Sequence, residues 1–274
     1  MQVVEANGAR IPAIGLGTMT LKGDVCVEIV SAALGLGYRH LDTAQMYGNE
    51  AEVGQGLKAS GLKREDVFLT TKVWHSNLAP GDFERSFDES LKKLDQSYVD
   101  LLLIHWPNAN VSLAGTMASL CKAAADRRAR HVGIANFTMP MIEEAVRLAT
   151  VPLVTNQIEV HPYIDQRRVI DTCRRHGLAV TAYCPLARGG VPSDETLQRI
   201  GAAHGKSASQ VALRWLVQQG IIPIPRTASR ARLPENLAVF DFTLSDGEMA
   251  EIAALRKPNG RLVSPPHAPQ WDAA

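Results

Sequence analysis

"YVDLLLIHW" (98–106) decides how the rest of the chain reads. Its apolar residues are consecutive rather than alternating, so an extended run would bury both faces, as strands inside a parallel sheet do. The same texture recurs on either side. Upstream lie "IPAIGLG" (11–17), "RHLDTA" (39–44) and "VFLTTKVW" (67–74). Downstream lie "HVGIANF" (131–137), "LVTNQIEV" (153–160), "LAVTAYCPL" (178–186) and "IIPIPRT" (221–227). Together they make eight strand candidates.

Amphipathic stretches separate them. "DVCVEIVSAALGLG", "DFERSFDESLKKL", "MPMIEEAVRLA", "QRRVIDTCRRHG" and "SASQVALRWLVQQG" carry apolar residues at helical spacing, and several end in Gly, a common helix stop. Strand–helix alternation sustained this long favours an α/β fold of the (β/α)₈ TIM-barrel class over an open doubly wound sheet. The chain has 274 residues, and such barrels take about 250. No Pro/Gly/Ser-rich linker divides it, so one domain spanning 1–274 is expected. The Pro-rich end "RKPNGRLVSPPHAPQWDAA" follows the last helical segment and is expected to run as an extended tail over the barrel mouth.

Composition narrows the function. Basic and acidic residues number 29 and 28, for a net charge of +1, which argues against a nucleic-acid partner bound through bulk electrostatics. Four cysteines (Cys26, Cys121, Cys173, Cys184) form no CxxC pair and read as reduced thiols of a cytoplasmic protein. No signal-peptide pattern opens the chain, and no apolar run approaches the roughly 18 residues that span a bilayer. A monomer acting on a small molecule, without membrane association, is the expectation.

In a barrel, chemistry collects at the C-terminal ends of the strands. Asp42, Tyr47, Lys72 and His105 all fall there, on or just after three neighbouring strands. A free Tyr, with a pKa of about 10, is a poor acid near neutrality, and an adjacent ammonium lowers that value. Lys72 is placed to do this for Tyr47, Asp42 to keep Lys72 charged, and His105 to orient a carbonyl. Each residue alone also has an ordinary explanation: a helix cap, a loop aromatic, a snorkelling lysine, a hydrogen-bonded histidine. Four compatible types at matching strand ends favour a general acid for a carbonyl oxygen. A hydride source is still required.

With these residues in view, the chain resembles the aldo-keto reductase family. "GYRHLDTAQMYGNEAEVG" (37–54), "TTKVW", "LIHWP", "TNQIEVHPY" (155–163) and "IPRTASRARLPEN" (224–236) follow the family's motifs in order, from "GLGT" almost to the C-terminus. The ending "RLVSPPHAPQWD" looks like the bacterial 2,5-diketo-D-gluconate reductase branch. The resemblance implies NADPH-dependent carbonyl reduction, with Tyr47 as general acid, tuned by Lys72 and Asp42, and His105 positioning the carbonyl. It places the cofactor against Gly17 and Thr18, holds the nicotinamide amide with Asn136 and Gln157, stacks Tyr183 on the ring and adds Pro185 and Leu186. Arg226, Thr227, Arg232, Glu235 and Asn236 would take the adenosine end. Met19, Trp74, Trp106 and Trp271 would line the substrate pocket.

The chain departs from the family pattern in three places. Ala135 and Asn136 replace Ser-Asn, so one cofactor hydrogen bond worth about 1 kcal/mol is expected to be missing. Cys184 replaces the Ser of Ser-Pro-Leu and reads as a packing residue. Arg226-Thr227 replaces Lys-Ser, which keeps the charge and adds a planar fork suited to phosphate. NADPH is therefore expected over NADH.

Other signals are weaker. "GLGTMT" lacks the third Gly of a dinucleotide fingerprint. "HGKSASQ" reads as a helix–helix turn, and "DRRAR" (126–130) as a solvated helix end. Cys173 and His176 have ligand-like spacing without a second pair, so no metal is expected. Short connections after His105 and after "YCPLARGGVPS" suit small polar substrates such as 2,5-diketo-D-gluconate, methylglyoxal and related dicarbonyls. Two competing readings are a non-catalytic NADPH sensor on the same scaffold and an unrelated phosphate-handling barrel such as an isomerase.

Overall fold

The computed structural model describes residues 2–272. The chain opens with an antiparallel hairpin, β1 (Val3–Ala6) and β2 (Ala9–Pro12). Asn7 and Gly8 make its turn with φ of 44° and 87°, the left-handed pair that two-residue hairpin loops use. Eight parallel strands follow: β3 (Leu16–Gly17), β4 (His40–Asp42), β5 (Phe68–Val73), β6 (Val99–Ile104), β7 (Ala129–Ala135), β8 (Leu153–Glu159), β9 (Ala179–Tyr183) and β10 (Ile222–Pro223). They pair in chain order. The ends meet where Gly15 N–H donates to the Pro223 carbonyl (3.0 Å) and Gly17 N–H to the Pro225 carbonyl (3.1 Å). Only glycine fits at this seam, because a Cβ on Gly17 would lie 2.7 Å from the Ile224 carbonyl oxygen.

The helices are α1 (Gly23–Gly35), α2 (Glu50–Ala59), α3 (Asp82–Leu94), α4 (Leu113–Ala125), α5 (Met139–Leu148), α6 (Arg167–Arg175), α7 (Glu195–His204), α8 (Ala208–Gln218), α9 (Arg232–Leu237) and α10 (Asp246–Ala253). The expected (β/α)₈ architecture is what the chain adopts, with each of the eight anticipated runs contributing a strand. The first needs correction. "IPAIGLG" gives its opening residues to the hairpin, and only Leu16–Gly17 remain as β3. The hairpin was not anticipated, although its Asn-Gly dipeptide was the signal.

Two apolar layers show why the strands read as continuously hydrophobic. Leu102, Ile104, Leu69 and Val73 pack outward against the helices. Leu101, Leu103, Ala135 and Val154 pack inside the barrel, where Ala6, Ala9 and Ile11 of the hairpin plug its N-terminal end. Alternation then delivers Thr70 and Lys72 to the interior of β5 and His40 and Asp42 to the interior of β4.

"HGKSASQ" forms the turn between α7 and α8. Gly205 closes α7 with φ 64°, and Ser207 with Gln210 makes a capping box at the start of α8. "DRRAR" is less solvated than expected. Arg128 pairs with Asp88 and lies over Phe87, while Arg130 pairs with Asp100 at 3.0 Å and lies over Tyr98.

Candidate active site

At the C-terminal end of β4 and β5, Lys72 Nζ sits 2.6 Å from Asp42 Oδ1. It also donates to the Thr43 carbonyl (2.9 Å) and reaches the Tyr47 hydroxyl at 3.3 Å. The ammonium and carboxylate are wholly enclosed, at 0% and 1% side-chain exposure. The second carboxylate oxygen, Asp42 Oδ2, accepts from Gln157 Nε2 at 2.7 Å, a contact spanning 115 residues of sequence. Thr18 Oγ1 donates to the Asp42 carbonyl (2.9 Å). A buried ion pair persists only where its remaining hydrogen-bonding capacity is met, and here neighbouring strands meet it.

Tyr47 ends a short 3₁₀ turn (Gln45–Tyr47) whose flanks are tied down. Asn49, fully buried, donates to the Thr18 and Leu21 carbonyls (2.8 and 3.0 Å) and accepts from Thr43 (2.9 Å). Gln45 accepts from Trp74 N–H (2.9 Å) and donates to Ser90 (3.1 Å). The His105 ring meets Tyr47 edge-on at 5.7 Å and Trp74 at 5.1 Å.

Burial governs the proton affinities. It pushes the Tyr47 phenol well above its usual 10, with Asp42 and Cys184 adding to the rise. The net direction is set by desolvation rather than by the lowering expected from the Lys72 ammonium. Burial lowers Lys72, and Asp42 opposes that. Burial, then the Lys72 charge, holds His105 well below 6.5. The site at neutral pH therefore presents a protonated phenol and a neutral imidazole. Both forms suit donation to a developing oxyanion.

A cavity of about 690 Å³ runs from Tyr47 and His105 along the strand ends to Arg226 and Arg232. Gly17, Thr18, Met19, Trp106, Asn136, Gln157, Tyr183, Pro185, Leu186, Thr227, Glu235 and Asn236 all line it. Asn136 bridges its neighbours, donating from Nδ2 to the His105 carbonyl (2.9 Å) and accepting from the Tyr183 hydroxyl at Oδ1 (2.7 Å). Trp74 and Trp271 do not line the cavity. Trp74 backs His105 from the side, and Trp271 lies behind Trp106 at 6.0 Å and faces an adjoining cavity. Ala135 points into the apolar barrel interior.

The far end has a donor set fit for a phosphorylated adenosine. Arg226 and Arg232 are exposed, and neither has an ion-pair partner among the described residues. Arg226 Nε donates only to the Met19 carbonyl (3.2 Å). Glu235 is held by the Ser207 hydroxyl at 2.6 Å. Sequence reasoning missed three contributors to the wall. Ser207, Ala208 and Ser209 bring the N-terminus of α8; Cys184 and Arg188 come from the loop after β9; Val263 comes from the tail. The α8 contribution is concealed in "HGKSASQ", which reads as a turn and is one, with the helix N-terminus at its end.

The tail crosses the mouth as expected. Glu159, fully buried at the end of β8, accepts from Leu262 N–H (2.6 Å), Val263 N–H (2.9 Å) and His161 (2.9 Å). His267 stacks on His75 at 4.1 Å and meets Trp106 at 5.3 Å.

The model of the Aldo/keto reductase family matches residues 13–257. The chain belongs to that family. Among its relatives, methylglyoxal reductase DkgB of Escherichia coli O157:H7 is 43% identical over 96% of this chain and 99% of its own length. Glyoxal reductase of Bacillus subtilis (strain 168) is 38% identical over 92% of this chain and 91% of its own. A crystal structure provisionally described as a 2,5-diketo-D-gluconic acid reductase B superposes with a TM-score of 0.98 at 51% identity, covering 100% and 98% of the two chains. An aldo-keto reductase of Bombyx mori in complex with NADP superposes with a TM-score of 0.89 at 35% identity, covering 97% of this chain and 94% of its own. This aldo-keto reductase is thus an oxidoreductase of carbonyl compounds. No helix among its described residues is long and apolar enough to cross a membrane.

Proposed function

We propose that this aldo-keto reductase acts as a single-domain, NADPH-dependent reductase of small polar aldehydes and ketones, with dicarbonyls such as methylglyoxal and 2,5-diketo-D-gluconate as the substrate class. The observation that carries the reading is the Asp42–Lys72–Tyr47 chain, with a neutral His105 beside it, at one end of a cavity whose other end holds two unpaired arginines. Arg226, Thr227, Arg232, Glu235 and Asn236 would hold the phosphorylated adenosine, and Tyr183, Asn136 and Gln157 the nicotinamide. When bound, the reduced nicotinamide supplies the hydride.

The chain's own residues handle the proton. Burial keeps it on Tyr47 until a carbonyl oxygen gains charge, and the phenol then gives it up. Lys72, 3.3 Å from that oxygen, stabilises the phenolate left behind, and Asp42 keeps Lys72 in place. His105, neutral, orients the carbonyl through one ring nitrogen. Gln157 grips Asp42 with Nε2 while its Oε1 has no partner among the described residues, leaving an acceptor for an amide N–H. The names of the relatives, and the short connections after His105 and after β9, support this substrate class.

Oxidation of NADPH with a panel of methylglyoxal, glyoxal and 2,5-diketo-D-gluconate, with NADH in parallel, tests the reading. Turnover with NADPH is expected. Clear NADPH binding without turnover on any carbonyl would favour a sensor instead.

A further inference from the structure

A second cavity of about 550 Å³ opens beside the active-site mouth, between the start of α6 and the tail. It uses none of the residues placed in the reductase machinery except Trp271, which forms its wall together with Phe137. Trp106 and Trp271, in contact at 6.0 Å, stand between the two cavities.

Its charges are unevenly satisfied. The acidic groups on its rim already have partners: Asp165 is held by Arg167, Asp171 by Arg174 at 3.6 Å, and Asp272 accepts from Met139 N–H at 2.8 Å. Two cations have no ion-pair partner within 4 Å among the described residues, although Glu159 and Asp272 lie near enough to Arg261 to favour its charge. Lys257 Nζ lies over the Tyr163 ring at 4.7 Å and has no acidic partner among the described residues. Arg261 lies over the Trp271 ring at 3.7 Å, and its Nη1 is buried without a hydrogen-bond partner among the described residues. Lys257 and Arg261 both line the cavity, and an ammonium and a guanidinium fork on one wall are natural partners for anionic oxygens. Aromatic faces on the same wall add room for a carbon skeleton, in a volume within the range of metabolite sites.

The backbone around these cations is fixed. Lys257 N–H donates to the Tyr163 carbonyl (3.0 Å). Gly260 packs so tightly that a Cβ would meet the Tyr163 carbonyl oxygen at 1.8 Å. Glu159 holds the two amides that follow Arg261. Lys257 and Arg261 are thus presented from a pinned segment.

We propose that this second cavity binds a small organic anion carrying carboxylate or phosphate groups, held by Lys257 and Arg261 against Trp271. Citrate and inorganic phosphate, each titrated into the full chain by calorimetry, test it. Saturable binding of one anion per chain is expected, with a Kd at or below about 1 mM. Lys257→Met and Arg261→Met should each weaken it roughly tenfold, as loss of a charge-assisted hydrogen bond does. Arg232→Ala, in the other cavity, should leave it within about twofold. Binding of only one of the two anions supports the site and fixes its chemical class. Loss of binding in Arg232→Ala with Lys257→Met unaffected would place the anion in the active-site cavity and overturn the proposal. So would the absence of saturable binding by either anion. Lys257→Met keeps the test decisive should Arg261→Met loosen the tail.

Discussion

The two ends of the active-site cavity are built by opposite means. At the Tyr47 end, ionisable groups are enclosed, paired and fixed by strand register, with Lys72 and Asp42 at 0% and 1% exposure. At the Arg232 end, the two arginines are exposed, unpaired among the described residues and carried on a short helix and its approach loop. An enclosed pair has its geometry imposed and loses much when one member is removed. An exposed arginine costs the fold little and contributes only when an anion arrives. The fold thus commits stability at the chemical end and keeps affinity in reserve at the other.

The comparison is broken most directly at Tyr47. Tyr47→Phe should lower kcat by about 10³-fold, within the range for loss of a positioned general acid, while NADPH affinity by fluorescence titration stays nearly unchanged. Near-normal turnover in that variant removes Tyr47 as the proton donor. Lys72→Met probes the same end through stability. It leaves Asp42 buried without its counter-ion, and denaturant unfolding should show a loss of about 3–5 kcal/mol. A loss below about 1 kcal/mol would mean that the pair is not an enclosed one.

How far the sequence carried the reading divides along the same line. All eight strands were legible because each is buried on two faces, and the groups at their C-terminal ends followed once strand order was known. The hairpin was not, because β2 runs into the strand after it without a break in hydrophobicity. The link from Gln157 to Asp42 joins residues 115 apart, so no local pattern contains it. The tail's contacts were hidden for the same reason: Glu159 reads as a polar interruption in β8 until Leu262 and Val263 arrive. Trp74 and Trp271 lie on the expected side of the barrel but one layer back from the cavity wall, a difference no pattern shows because side-chain direction in loops has no period to read.

Acid should separate the buried end from the exposed one. His40, one step behind Asp42 on the interior of β4, is held down by burial to about 4 from an ordinary 6.5, against the opposing pull of Asp42. The unfolded chain therefore takes up a proton first. His40 contributes full stability above pH 6.5, and that contribution falls as the pH drops through the window down to 4, a loss of about 3 kcal/mol. Unfolding measured at pH 7 and at pH 4.5 should show a steeper fall for the wild type than for His40→Asn. Parallel curves would show that His40 is not the group responsible.

The smallest effect sharpens the other side. Arg232→Ala removes an exposed cation with no partner in the described residues, so unfolding free energy should change by no more than about 0.5 kcal/mol. Its consequence appears only with ligand: NADPH affinity should fall roughly tenfold, the worth of one charge-assisted contact to phosphate, while NADH affinity holds. Equal weakening of both cofactors would show that Arg232 does not read the 2′-phosphate, and would shift that role to Arg226, whose Nε is already engaged by the Met19 carbonyl. A stability loss comparable to that of Lys72→Met would erase the distinction between the two ends.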